Sequence, residues 1–194
     1  AYKGAKEGAT KAVETKMTGL EKKIEEIKTI IVESKLSLPI PSKKIQQEIN
    51  SLKETLEKER LGKACILVTR GTERLEDKNY EGAITDFEEA LKILPGGSDA
   101  SLSTYFNLGL ALIDCQTGDR EANLKKAIYS YSKILSLLKD KNLVYYTNAL
   151  INLGVSYSDL SEIRDKEEYV GLAINTYQEA LKVHTFEKFP QDYA

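Results

Sequence analysis

One histidine, two cysteines and four prolines are all that 194 residues contain of those types. Each scarcity excludes a class of function. The lone histidine, His184, closes a helical pattern with no second imidazole to work with. A surface or C-terminal capping role is expected, because a cation there complements the helix dipole. Cys65 and Cys115 both fall in apolar helical contexts and show no metal-ligand spacing. They are expected as buried thiols of a reducing, cytoplasmic compartment, without a disulfide. No run of about 18 apolar residues is present to span a membrane, and no secretory signal is found. Gly96-Gly97 follows Pro95 but lacks the succeeding Lys-Ser/Thr of a phosphate loop, so it is expected as an inter-helix turn. The acidic clusters Glu73/Glu76/Asp77 and Glu162/Asp165/Glu167/Glu168 lack the alternating oxygens of a calcium loop and fit solvated helix ends. The sequence therefore predicts no enzyme, no cofactor and no metal.

What is abundant points to helix. Lys, Glu, Leu, Ile and Ala dominate, and glycine serves mainly as punctuation. Residues 1–63 hold 14 Lys/Arg against 10 Glu and residues 64–194 hold 14 against 20 acidic residues, giving +4 and −6. The split suggests two parts with different surfaces, neither basic enough to predict nucleic-acid binding. The chain starts at Ala1 and is expected to be a segment of a longer protein.

The strongest signal is internal repetition. Between Ala64 and Gly97, Gly71 is followed after 12 residues by Ala83, then by Phe87, Ala90 and Pro95 at intervals of 4, 3 and 5. A second unit has Tyr105, Gly109, Ala127, Tyr131 and Ile134; a third has Gly154, Ala173, Tyr177 and Ala180. The 4 and 3 intervals recur in both, as they must when one helical face is reused. Small residues let two antiparallel helices approach, the aromatic residues fill the space alongside, and Pro95 is expected to end the second helix. The distance from glycine to alanine grows from 12 to 18 and 19, with the extra residues expected in the turns at Thr117-Gly118-Asp119-Arg120 and around Arg164-Asp165-Lys166.

These residues resemble the tetratricopeptide repeat, with Tyr80 in that family's aromatic place before the second helix. The glycines lie 38 and 45 residues apart, against roughly 34 in the usual repeat. The segment GDREANLKKAIYSYSKIL is similar to a long-repeat variety (38–45 residues here) of bacterial and archaeal multi-repeat proteins, and FEKFPQDYA resembles its inter-repeat linker. The resemblance covers about residues 63–194 and implies an all-α fold: a right-handed solenoid of three helix pairs, at about 64–97, 101–140 and 143–185. It also implies a concave groove lined by the first helix of each pair. The groove residues would be Val68, Thr69, Thr72, Leu75 and Glu76; then Phe106, Asn107, Leu110, Ile113 and Asp114; then Ile151, Asn152, Val155, Ser158 and Asp159, with Asn148 one turn earlier. Asn107 and Asn152 occupy equivalent places, where a carboxamide either bonds a peptide backbone or braces its neighbours. Members of the family that clamp a C-terminal carboxylate use Lys and Arg on these helices. The matching places hold Val68, Thr72, Asn148 and Asn152, and only Asn107 fits, so an acidic chaperone tail is not the expected ligand.

Residues 1–62 lack the repeat. Val13, Met17, Leu20, Ile24, Ile27 and Ile31 follow a 4, 3, 4, 3, 4 seam, as in a heptad pattern. Leu38-Pro39-Ile40-Pro41 interrupts it, Ser42 is a candidate N-cap, and Ile45, Ile49, Leu52 and Leu56 resume the 4, 3, 4 spacing. A helical hairpin with an elbow at 39–41 is predicted, its second helix running on past Gly62. The opening AYKGAKEGATKA has one copy of a motif like the lipid-surface repeats of synucleins. One copy with two close glycines is too little for membrane binding, and a frayed, basic helix start or a linker from an upstream segment is expected instead.

The expected function is a protein-interaction module that takes an apolar peptide or amphipathic helix, from a protein partner or from residues 13–35, into the concave groove. The alternatives are a homodimer through residues 13–35 and 45–56, or the regulatory repeat segment of a larger signalling protein.

Overall fold

Helix-favouring composition and short polar turns carry the chain into seven helices and no strand among the described residues. The computed structural model describes residues 2–34, 43–138 and 142–183. The helices are α1 (Tyr2–Ser34), α2 (Lys43–Glu76), α3 (Tyr80–Leu91), α4 (Asp99–Asp114), α5 (Arg120–Leu138), α6 (Leu143–Ser161) and α7 (Lys166–Val183). The elbow at 39–41, the Ser42 cap, His184 and the FEKFPQDYA segment lie outside the described residues. None of these helices is long and apolar enough to cross a membrane.

The fold divides into two compact units, residues 1–70 and 71–194, and the division falls inside α2. In the first unit the heptad seams are the sheltered positions: Ile24, Ile49 and Leu56 are buried. Val13, Met17, Leu20, Ile27, Ile45 and Leu52 are half-buried. Lys63–Glu14 at 2.7 Å and Arg60–Glu21 at 3.0 Å set α1 and α2 antiparallel. Exposed pairs of this kind contribute under about 1 kcal/mol each, so the apolar seam supplies most of the stability.

In the second unit α3 to α7 pack in chain order, each on its neighbours, and α4 also touches α6. The turn into α3 closes α2 by two bonds, Lys78 N–H to Leu75 O at 3.0 Å and Asn79 N–H to Arg74 O at 2.7 Å. Lys78 takes the left-handed conformation (φ 59°) that such a stop requires. Asn79 then caps α3, accepting from Gly82 N–H at 3.2 Å.

The repeated glycines have one physical explanation. A Cβ added at Gly71 would stand 2.6 Å from the Phe87 ring; at Gly109, 2.5 Å from Tyr131; at Gly154, 2.5 Å from Tyr177. Each helix pair is closed by an aromatic ring lying on bare backbone. Ala83, Ala90 and Ala127 beside these rings are fully buried, and Ala173 and Ala180 nearly so.

Three sequence expectations need correction. α3 stops at Leu91 rather than at Pro95, which lies in the following turn; carbonyls of Glu89 and Ala90 take up the N–H groups of Lys92, Ile93 and Leu94 instead. The extra residues of the longer units are not all turn. α3 begins three residues before Ala83, whereas α5 and α7 each begin seven before Ala127 and Ala173. Four of the inserted residues, Arg120–Asn123 and Lys166–Tyr169, therefore form an added first helical turn, because one turn of about 3.6 residues keeps the apolar stripe in register. Cys65 is exposed, while Cys115 is buried as expected; both are free thiols. Ala64 and Leu67 take the inward positions of that turn of α2, leaving Cys65 pointing outward.

The glycine contacts set a graded test. An alanine in a helix gains about 1 kcal/mol over glycine, and overpacking costs about 1–3 kcal/mol. Gly71→Ala and Gly109→Ala are expected to lower the urea midpoint, because Phe87 and Tyr131 are fully enclosed. Gly154→Ala should cost less, since Tyr177 is only half-buried and has room to shift. Gly62→Ala, with nothing within 4 Å of the new methyl, should raise the midpoint.

Candidate functional site

Helices α4 and α6, which touch each other, present one partly exposed face. On α4 it carries Phe106, Asn107 and Leu110, all half-buried, one turn apart at i, i+1 and i+4. On α6 it carries Asn148 and Ile151, both exposed, and Asn152 and Val155, both half-buried. Phe106 joins the two helices. Its ring meets Tyr131 edge-on at 5.8 Å and Tyr145 at 5.2 Å with a 42° tilt, geometries that aromatic quadrupoles favour. Phe106 is thus an anchor of the core as well as part of the surface.

Thr72 belongs to the same compact unit, whereas Val68 lies on the other side of the unit division. The two equivalent asparagines differ in use. Asn152 donates its Nδ2 hydrogen to the Asn148 carbonyl at 3.0 Å, one turn back on its own helix. No hydrogen bond joins the half-buried Asn107 carboxamide to another described residue. Asn107 therefore offers both a donor and an acceptor at the surface.

Tyr145 was not singled out from the sequence. It sits between the Phe106 contact and a cleft of about 620 Å³ whose apolar walls include Leu102, Leu137 and Leu138 and whose polar rim is Asp99, Ser103 and Asn142. Burial pushes the Tyr145 hydroxyl up to about 12. The Tyr131 hydroxyl is raised further, first by burial and then by the nearby Asp114 and Tyr145.

Arg120 was noted in the sequence only as part of a turn. It opens α5, where its charge opposes the helix dipole, and that oddity marks it as serving another element. Its Nη1 donates to the carbonyls of Leu112, Ile113 and Cys115, which end α4. Its Nη2 meets Asp159 of α6 at 2.7 Å. The next residue, Glu121, accepts from Arg164 at 2.7 Å and from Lys125 at 2.5 Å. Lys125 and then Arg164 hold the Glu121 carboxyl below the usual carboxylate range. Both Arg120 and Glu121 sit on the added helical turn, so the insertion links the second helix pair to the third.

No protein-family model, no curated protein and no solved structure matches this chain. Among the described residues no group of three His, Cys, Asp or Glu side chains converges to hold a metal.

Arg120→Met is expected to destabilise by about 1–3 kcal/mol through the orphaned α4 carbonyls. Asp159→Asn should cost under about 1 kcal/mol, because that pair is a quarter to a third exposed and water screens it. Equal losses in urea melts would show that the ion pair, not the cap, is the larger contribution. The tyrosines add a pH effect. A hydroxyl whose folded value is raised favours folding below its unfolded value of 10 and loses that contribution as pH climbs through the folded value of about 12 for Tyr145. Stability should fall between these limits, and Tyr145→Phe should make the fall shallower by up to about 1.4 kcal/mol per pH unit.

Proposed function

We propose that the chain is a long-repeat tetratricopeptide-type protein that works by binding another polypeptide, not by catalysis. Residues from about 63 to 194 form a right-handed solenoid of three helix pairs, and the ligand is an apolar peptide or amphipathic helix laid along the face of α4 and α6. The observation that carries this reading is the thrice-repeated closure of a helix-pair glycine by an aromatic ring, at Gly71/Phe87, Gly109/Tyr131 and Gly154/Tyr177. A pair built this way leaves an apolar face for its neighbour, so stacking gives an open-ended array with a long inner surface. Contact between α4 and α6, with none between α3, α5 and α7 among the described residues, fits first helices drawn together on the inside.

The chemistry of the face suits such a ligand. Leu110, Ile151 and Val155 supply apolar area, Asn107 an unspent carboxamide, and no Lys or Arg stands among them. Apolar anchors spaced along a helix match a strip of this kind.

Display selection of random 16-residue peptides on the intact chain should yield sequences with apolar residues three and four apart. Leu110→Lys with Ile151→Lys should weaken the selected peptides at least about tenfold, since one buried apolar side chain is worth about 1.5–3 kcal/mol and each 1.4 kcal/mol is a decade. Peptides that bind this folded double variant unchanged would reject the face as the binding site.

A further inference from the structure

The outer stripe of α7 repeats that of α5 but is uncovered. Leu124, Ile128 and Leu135 on α5 have their counterparts in Val170, Ile174 and Leu181 on α7, at the same distances from the closing tyrosines. Leu124 is fully buried, and Ile128 and Leu135 pack into the core, because α5 lies between α4 and α6. Among the described residues α7 has α6 as its only packed neighbour, and its stripe stands open: Val170 is 36% exposed, Ile174 51% and Leu181 69%. Three aliphatic side chains on one helical face, at the spacing that a neighbouring helix covers elsewhere in the same unit, fit an interface better than a solvated surface.

We propose that this stripe docks the α7 helix of a second copy of the chain, antiparallel, about a two-fold axis. The helix is self-complementary in that arrangement. An axis passing between Ile174 and Tyr177 sets Val170 opposite Leu181 of the other copy and Ile174 opposite the Tyr177 edge, twice over, as an isologous contact requires. The charges agree. The first turn of α7, Lys166-Glu167-Glu168, is net negative and its last turn carries Lys182, so antiparallel pairing puts the net-acidic end against the basic end twice. Parallel pairing would put acid against acid and base against base. Antiparallel packing also sets the two helix dipoles in opposition. The surface lies on the second-helix layer, so the contact leaves the face of α4 and α6 free, and either reading can fail without the other. The patch is short, and a weak dimer follows, with dissociation on the order of 10–100 µM.

Sedimentation equilibrium of the whole 194-residue chain from roughly 5 to 500 µM tests the proposal. The unsubstituted chain should move from monomer to dimer across that range. Ile174→Glu with Leu181→Glu should remain monomeric with an unchanged helical spectrum, since both positions are exposed. Lys182→Glu should weaken dimerisation about fivefold, and adding Glu167→Lys and Glu168→Lys to it should restore it, because the swapped charges again oppose each other. Ile30→Lys with Val32→Lys, at the exposed apolar positions of α1, should leave the dimer intact. A monomer at the highest concentration overturns the proposal. So does a dimer that survives the α7 double substitution, one lost in the α1 variant, or a charge swap that fails to rescue.

Discussion

The contact of an aromatic ring with the bare backbone of a facing glycine is the constraint on which the second unit depends. It fixes the distance between the two helices of each pair, because nothing larger than hydrogen fits under Phe87, Tyr131 or Tyr177. It also fixes their rotation, since the ring and the flanking alanines must share one face. Once that face is set, the remaining apolar residues of each helix have only the neighbouring pair to pack on. The buried cluster accordingly runs through α3 to α7 as one body, from Ala83 to Ala180.

Four of the added residues in the second and third pairs make one whole helical turn at the start of α5 and of α7. A four-residue addition at the start of α5 preserves which side chains face inward, where an addition of two would rotate the stripe by more than half a turn. The new turn is not idle. Arg120 ends α4 by satisfying carbonyls that a helix otherwise leaves unpaired, and Arg120 and Glu121 reach Asp159 and Arg164 of the next pair. The third pair uses its own added turn differently, stacking Tyr169 on Tyr157 with ring centres 6.3 Å apart.

The candidate binding face inherits its character from this core. Phe106 is held by two tyrosines, so the centre of the face is rigid, and a rigid surface loses little conformational entropy when a ligand is ordered on it. Asn152 uses its amide on its own helix while Asn107 does not, so two residues that each open an Asn-Leu-Gly triplet present different chemistry.

The helical class, the three repeated units and the identity of the closing glycines and rings were legible in the sequence, because helical periodicity and the exclusion of a side chain leave a mark at fixed intervals. The heptad seams of α1 and α2 were legible for the same reason: Val13, Met17, Leu20, Ile24 and Ile27 on α1, and Ile45, Ile49, Leu52 and Leu56 on α2, are all sheltered. What the sequence left open depends on where a side chain ends rather than where it starts. Gly118-Asp119-Arg120 reads as a turn, and only packing shows that the arginine folds back over α4. The same holds for the exposure of Cys65, the different uses of Asn107 and Asn152, and the wall that Tyr145 forms beside Phe106. Spacing along the chain determines which face a residue occupies; which neighbour it meets is decided by helices tens of residues away, and that information exists only in the tertiary structure.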